Sequence, residues 1–321
     1  MNAEIKTGII FGGIITAGII FLAILFIGLD ESASINQDSG IRKAPNLVGI
    51  AHYLNISSEE LTKKMDNKVI LYDIWTYSCI NCIRTLPFIT SWDEKYSDQG
   101  LLIIGIHSPE FEFEKDPENV KIAIEKYGIT YPVVMDNNME TWKAFENNYW
   151  PRKYIADHEG NLRYDHIGEG SYQETEKVIQ QLLDERSIAM GIENISENKL
   201  VVIEEFEHTL FRTPELYFGY KFAQNRNQLG SDEGFQPERI VKYSEPNNIE
   251  LNKFYPIGNW KNHEDSMQLT ETIGSIKVSF DAKEVNIVTE NNAQLEIFLD
   301  GVALTKKYAG SDISFGNKMN V

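Results

Sequence analysis

The sequence contains two cysteines, and they stand close together as Cys79-Ile80-Asn81-Cys82. Two thiols at this spacing can form a reversible disulfide with each other and so exchange two electrons with a partner. Half of a zinc site and a small structural disulfide use the same spacing. A zinc site needs four ligands, and the six histidines are scattered without ligand spacing. A structural bond across so short a loop constrains the unfolded chain little. The pair therefore favours redox chemistry.

A strand and a helix are predicted around the cysteine pair. Val69–Trp75 is an apolar run interrupted by a single acid, which is typical of a buried parallel strand. Residues 79–95 have helical periodicity, with Pro87 as an internal kink. Cys79 then stands at the exposed start of the helix, where free N–H groups and the helix dipole stabilise a thiolate. We expect Cys79 to attack a partner disulfide and Cys82, one turn inward, to resolve the mixed disulfide.

The surrounding sequence predicts an α/β domain over residues 44–190. Its strands alternate with helices, which implies a mostly parallel sheet covered on both faces. The further predicted strands are Leu101–His107 and residues 133–135, 154–156 and 161–164, and the further predicted helices are residues 117–127 and 172–183.

Beyond about residue 199 the hydrophobic pattern changes to strict alternation, which predicts half-buried strands. The alternating runs are residues 276–280, 285–288 and 295–299. Asp300-Gly301 follows the last run and predicts a two-residue hairpin turn. We therefore expect residues 199–321 to form a separate all-β sandwich domain.

The amino-terminal segment predicts a membrane anchor. Residues 8–29 carry no charge and are numerous enough to cross a hydrocarbon core of ~30 Å as a helix. A cleaved signal peptide is the alternative, since the small residues 32–34 resemble a cleavage site. Lys6 precedes the span and two acids follow it, which favours a cytoplasmic amino terminus. We expect an anchor over residues 1–30, a polar tether over residues 31–43, and extracytoplasmic domains on a single-pass protein of the cell membrane.

The overall composition argues against some classes of partner. A length of 321 residues suggests about two domains. The hydrophobic share of 42% and the charged share of 24% are ordinary for globular proteins. The formal net charge of −18 argues against nucleic acid and anionic lipid surfaces as partners.

The residues around the cysteine pair also carry a family resemblance. The run from Asp73 to Cys82 (DIWTYSCINC) resembles the active-site segment of thioredoxin-fold proteins. More narrowly, it is similar to the extracytoplasmic redox domain of DipZ-type proteins, relatives of the TlpA group. The similarity continues, in order, through residues 105–114 (GIHSPEFEFE), 131–133, 136–137, 141–142, 149–151 (YWP), 168–172 (GEGSY) and, more weakly, 212–220 (RTPELYFGY). This ordered set of motifs is far more specific than the cysteine spacing alone.

The resemblance implies roles for three further residues. Asp73 stands where thioredoxins keep a buried acid that moves protons to and from the resolving cysteine. The other interpretation of Asp73 is a strand-end carboxylate near solvent. Desolvation in the strand would raise its pKa and suit it to acid–base work near neutral pH. Trp75 matches the tryptophan that flanks the site, although it could be ordinary core. Pro151 matches the cis-proline that faces the disulfide.

Three other residues of these motifs could tune the thiols. His107 and Glu110 end the strand predicted beside the one that leads to Cys79, and parallel strands end at a shared edge. A solvated loop is an equally good interpretation of both residues. Glu169 is a motif residue for which the sequence gives no role.

The sequence departs from its relatives in two places that bear on redox potential. Ile80-Asn81 replaces the Gly-Pro of cytosolic thioredoxin between the cysteines. Thr85 stands where some TlpA-type reductants carry a buried acid. DipZ-type proteins also contain a multi-span electron-conducting domain, whereas here a single span is predicted. The resemblance therefore implies a separate membrane electron carrier of CcdA type, with no cofactor other than the Cys79–Cys82 disulfide.

The resemblance extends to the fold of the β domain, which it likens to galactose-binding and carbohydrate-binding modules. It also implies that this domain continues slightly past Val321. Phe254, Tyr255 and Trp260 could stack on a glycan, although aromatics in a sandwich are more often core. A docking or spacer role is the stronger hypothesis for this domain, because function does not follow from fold.

Three hypotheses about function follow. The first is a membrane-anchored thiol–disulfide oxidoreductase that reduces disulfides of client proteins. The second is an oxidase that inserts disulfides into them. The third is a redox-inactive binding module that acts through the β domain, and the intact cysteines count against it.

Overall fold

The computed structural model describes residues 42–192, 199–206, 213–223, 225–290, 294–310 and 313. The anchor predicted at residues 8–29 lies outside these ranges. Among the described residues, no helix is both long enough and apolar enough to cross a membrane.

The first region of the structure, residues 42–192, forms one mixed sheet with helices on both faces. Its strands are β1 (His52–Leu54), β2 (Val69–Trp75), β3 (Leu101–His107), β4 (Val133–Met135), β5 (Arg152–Ala156) and β6 (Leu162–Ile167). Its α-helices are α1 (Ser58–Lys64), α2 (Ile80–Tyr96), α3 (Pro117–Lys126), α4 (Glu140–Ala144) and α5 (Tyr172–Met190). Short 3-10 turns occur at Ser97–Gln99 and Glu112–Lys115.

The strand order is β1-β4-β3-β2-β5-β6. The pairs β2–β3 and β3–β4 are parallel, whereas β1–β4, β2–β5 and β5–β6 are antiparallel. The prediction of a mostly parallel sheet is therefore wrong. The five residues between β5 and β6 include a turn in which the Gly160 amide donates to the Asp157 carbonyl at 2.8 Å. Such a connection is too short for the crossover that a parallel pair needs.

The sheet is covered on both faces, and β2 lies at its centre with all seven residues buried. Successive side chains of a strand point to opposite faces. Leu71 and Trp75 belong to the core cluster that contains Cys82, whereas Tyr72 and Ile74 belong to the cluster on the other face. The helices α2 and α5 cover the first face and α1 and α4 the second. The cysteine helix therefore packs on the odd-numbered side of β2.

The predicted helices form at their predicted places, with two differences. α2 contains Pro87, as predicted, and extends to Tyr96. α5 continues to Met190, where Gly191 ends it at a φ of 64°. The sequence reasoning missed β1, α1 and α4, because their short lengths carry too little periodicity to distinguish them from loops.

The second region is β-rich. Its elements are a one-turn helix α6 (Tyr220–Ala223) and the strands β7 (Ile240–Tyr243), β8 (Lys253–Asn262), β9 (Met267–Leu269), β10 (Ser275–Ser279), β11 (Phe298–Leu299) and β12 (Val302–Ala303). The strands β7 to β10 form an antiparallel sheet around β8. The hairpin at Asp300-Gly301 is confirmed, with φ values of 51° and 79°. The sandwich stays a prediction.

One strand prediction for this region is wrong, whereas the core interpretation of three aromatic residues holds. Residues 285–288 form no strand and are exposed, because no described strand lies beside them to pair with. The side chains of Phe254, Tyr255 and Trp260 are buried, at 0%, 2% and 8% exposure, which agrees with the interpretation of these aromatic residues as core. They therefore offer no open face on which a sugar could stack.

Candidate redox site

The cysteine pair opens α2. Cys79 is the N-cap residue in extended conformation and is partly exposed, whereas Cys82 lies one turn inward and is 1% exposed. Both thiols are free. Burial raises the pKa of Cys82 well above its ordinary value, and its hydrogen bond to Cys79 and the charge of Cys79 act in the same direction. Near neutral pH Cys82 is therefore a thiol that must lose a proton before it can attack.

Asp73 lies on the same side of β2 as the cysteine helix. Its side chain is 1% exposed, so the interpretation as a strand-end carboxylate near solvent is wrong. Burial raises the pKa of Asp73 to about 6, although the charge of Lys153 opposes this shift. The negative charge of Asp73 also contributes to the raised pKa of Cys82. A carboxyl group with this pKa can accept a proton and release it near neutral pH.

Lys153 is a residue of the site that sequence reasoning missed. It is the cross-strand partner of Asp73 on β5 and is fully buried. Its Nζ donates to the Gly168 carbonyl at 3.1 Å. Burial lowers the pKa of Lys153, while the negative charges of Asp73, Cys82 and Glu169 raise it. A lone lysine next to a predicted strand carries no sequence signal of burial, because lysine side chains usually face solvent.

The buried rings of His107 and Trp75 pack against each other near the site. Their rings meet edge to face at 5.4 Å between centroids, and Tyr77 stacks on His107 at 5.6 Å. His107 is fully buried, so the solvated-loop interpretation is wrong for this residue. Burial lowers the pKa of His107 to about 3, and the imidazole is therefore neutral at physiological pH.

Glu114 is a second residue that the sequence did not reveal. It lies in the 3-10 turn after β3 and is fully buried. Its carboxylate accepts hydrogen bonds from the hydroxyls of Thr76 and Ser78, both in the loop that leads to Cys79. In the sequence it stands in an acidic and aromatic run, FEFEK, which is typical of a solvated face.

Glu110 and Glu169 lie at the margin of the site. Burial, together with the nearby negative charges of Glu215 and Glu114, raises the pKa of Glu110 to about 7. The Glu169 side chain is 7% exposed, lies 3.7 Å from Arg84 Nη1, and acts electrostatically on Lys153. Glu110 thus lies against the second region of the chain, whereas Glu169 lies near Arg84 and Lys153.

Pro151 and Thr85 complete the predicted set. The Trp150–Pro151 peptide bond is cis, as the resemblance implied. The Trp150 indole donates to the Ser108 carbonyl at 2.9 Å, which ties this segment to the end of β3. Thr85 is buried, and its hydroxyl donates to the Asn81 carbonyl at 3.0 Å. Across the described ranges, no cluster of His, Cys, Asp and Glu has an arrangement that could hold a metal ion.

The second region contacts this edge of the first. Arg84, two residues after Cys82, pairs with Glu284 at 2.9 Å and lies 3.6 Å from the centroid of the Phe206 ring. The Glu112 amide donates to Asp265 at 3.1 Å. The redox pair therefore lies on the side of the first region that faces the second.

Comparison with known proteins agrees with this geometry. The Redoxin family matches residues 42–183, and the family described as a thioredoxin-like C-terminal domain matches residues 213–321. Protein DipZ of Mycobacterium bovis is 34% identical over 270 residues, which cover 83% of this chain and 38% of DipZ. The chain thus spans well under half the length of DipZ.

Two smaller proteins match the first region. The thiol-disulfide oxidoreductase YkuV of Bacillus subtilis is 32% identical over 143 residues, which cover 44% of this chain and 94% of YkuV. The solution structure of a thioredoxin-like protein in the oxidised form is 30% identical, covers 45% of this chain and 97% of its own, and superposes with a TM-score of 0.41. On its sequence identity to DipZ and YkuV, the chain belongs to the DipZ/TlpA-like group of thioredoxin-fold thiol–disulfide oxidoreductases.

Proposed function

We propose that the chain exchanges disulfides with client proteins through Cys79 and Cys82. One observation carries this proposal. The partly exposed Cys79 thiol lies at the start of a helix, and the buried Cys82 thiol lies one turn inward. The buried Asp73 carboxylate has a pKa of about 6, and its charge contributes to the raised pKa of Cys82. Those are the groups that a two-step exchange requires, namely a nucleophile, a resolving thiol and a proton acceptor.

The first step forms a mixed disulfide. The Cys79 thiolate attacks one sulfur of the client disulfide, so that a Cys79–client bond forms and the client S–S bond breaks. The electron pair of the broken bond leaves on the second client sulfur, which takes a proton from water. The free amides at the start of α2 favour the anionic sulfur in this step.

The second step releases the client. The Cys82 thiol transfers its proton to the Asp73 carboxylate and attacks Cys79 Sγ. The Cys79–Cys82 disulfide forms, the bond to the client breaks, and the client leaves as a thiolate that takes up a proton. The client has gained two electrons and the protein has lost two. The buried Lys153 ammonium keeps Asp73 ionisable, because its charge offsets part of the cost of burying the carboxylate.

We propose that the direction of exchange is reduction of client disulfides outside the cytoplasm. The uncharged residues 8–29 support a membrane anchor, and the DipZ-like sequence supports a membrane carrier of CcdA type as the source of electrons. Disulfide insertion is the alternative direction. A reduction potential of about −270 mV supports the reductant, whereas about −120 mV would support the oxidase.

Trapping of mixed disulfides tests the assignment of the two cysteines. We expect Cys82→Ser to accumulate mixed disulfides with clients, because Cys79 still attacks and nothing resolves the product. Cys79→Ser should accumulate almost none, because the remaining thiol is buried. The measurement is non-reducing electrophoresis after acid quench, with the double Cys→Ser variant as control. Equal trapping by the two single variants would contradict the assignment.

A further inference from the structure

Glu114 joins two loops that meet beside the cysteines. One carboxylate oxygen accepts hydrogen bonds from Thr76 Oγ1 and, at 2.5 Å, from Ser78 Oγ. The other accepts from the backbone amides of Glu110 at 2.6 Å and Phe111 at 2.9 Å. All four contacts are made by a side chain with no exposed surface. The loop after β2 and the loop after β3 are thus held to each other by one carboxylate.

The loop after β2 contacts both cysteines. Ser78 immediately precedes Cys79, the N-cap residue of α2. The backbone amide of Thr76 acts on Cys82 in the direction that favours its thiolate. The Thr76 hydroxyl also lies 3.3 Å from His107 Nε2. Anything that fixes Thr76 therefore fixes the amide that faces the resolving sulfur.

Taken together, these contacts connect Glu114 to both reacting sulfurs without any direct contact. We propose that Glu114 is a positioning residue for thiol–disulfide exchange, which acts through Thr76 and Ser78 to hold the start of α2 and the Thr76 amide in place. This inference rests on the proposed function of the cysteine pair. A carboxylate suits this role, because its two oxygens offer about four acceptor sites, and four donors are present.

The geometric role and a purely electrostatic one predict opposite shifts in pH dependence. If Glu114 holds the Thr76 amide against Cys82, its removal weakens a hydrogen bond that favours the thiolate, so the resolving step moves to higher pH. If Glu114 acts only as a negative charge, its removal makes the thiolate easier to form, and the resolving step moves to lower pH. The direction of the shift therefore distinguishes the two roles.

The test uses the complete chain, reduced, with a small aromatic disulfide as substrate. Release of the second aromatic thiol reports the resolving step across a range of pH. We expect Glu114→Ala to slow this step about tenfold or more and to move its midpoint to higher pH. Glu112→Ala is the matched control, since that carboxylate is 77% exposed in the same turn, and it should match the wild type.

Substitutions of Thr76 test the same inference if Glu114→Ala fails to fold. Thr76→Val removes the hydroxyl and should slow the resolving step, whereas Thr76→Ser keeps the hydroxyl and should restore it. Folded variants with wild-type rates and midpoints, or a midpoint that moves to lower pH in Glu114→Ala, would overturn the inference. If the wild-type chain itself released no second thiol, the proposed function would fail instead.

Discussion

At the scale of single residues, the site shows which groups a sequence can reveal. Cys79 and Cys82 were predictable, because their spacing has a physical meaning of its own. The buried place of Asp73 was predictable only through the family resemblance, because its position in the strand alone also allowed a carboxylate near solvent. Lys153 was not, since its burial depends on strand β5 returning antiparallel beside β2, and no local pattern encodes that pairing.

The role of Lys153 leads to a prediction about the titration of Asp73. In the wild-type protein we expect the Asp73 carboxyl to titrate at a pH of about 6. Lys153→Met removes the positive charge that lowers the pKa of Asp73, so the titration should move to higher pH. Lys153→Arg retains the charge and is the control. The measurement is the ¹³C chemical shift of the labelled carboxyl. A midpoint that stays in place or falls in Lys153→Met would refute the coupling.

At the scale of elements, α2 and α5 are joined by a buried carboxylate. Glu176 on α5 is 1% exposed and accepts hydrogen bonds from the Tyr96 hydroxyl at 2.6 Å and from Lys95 at 3.0 Å. It also accepts the Val201 amide at 2.8 Å, which fixes the chain after α5 against the first region. The helices themselves were predictable from periodicity. The buried contact of Glu176 with α2 was not predictable, because a glutamate within a polar helical segment usually faces solvent.

We predict that Glu176→Ala destabilises the fold at this contact between α2 and α5. The Tyr96 hydroxyl and the Val201 amide lose their acceptor, and each buried group without a partner costs about 1–3 kcal/mol. The free energy of unfolding should fall by about 3 kcal/mol, and the Val201 amide should exchange faster with solvent. Denaturant titration and hydrogen exchange measure the two effects. Glu125→Gln, on the exposed side of α3, is the control. Equal behaviour of the two variants would contradict the stabilising role of Glu176.

At the scale of the whole molecule, the two regions meet at the edge that carries the cysteines. The contacts of Arg84 with Glu284 and Phe206, and of Glu112 with Asp265, bring this edge against the second region. The change from helical to alternating periodicity predicted two regions of different class. It could not predict their contact, because such contacts join residues far apart in the chain and leave no periodic pattern.

The anchor leads to a prediction about topology. If residues 8–29 span the membrane with the amino terminus inside, protease added to intact cells should remove the rest of the chain. Immunoblotting against the second region measures this loss, and a cytoplasmic protein in the same cells is the control. Full protection in intact cells together with digestion after lysis would contradict the proposed topology.

The most direct test of the account concerns proton transfer between Cys82 and Asp73. Near neutral pH Cys82 holds its proton, so its attack on the mixed disulfide needs an acceptor. Asp73 can accept only when ionised, so the rate of the resolving step should rise with pH through about 6 and then level off. Asp73→Asn keeps the shape of the side chain and removes the titration. We predict that this inflection disappears and that the step slows, by up to about 10²–10⁴-fold where proton transfer limits the rate. A rate and pH profile unchanged in Asp73→Asn would contradict the mechanism.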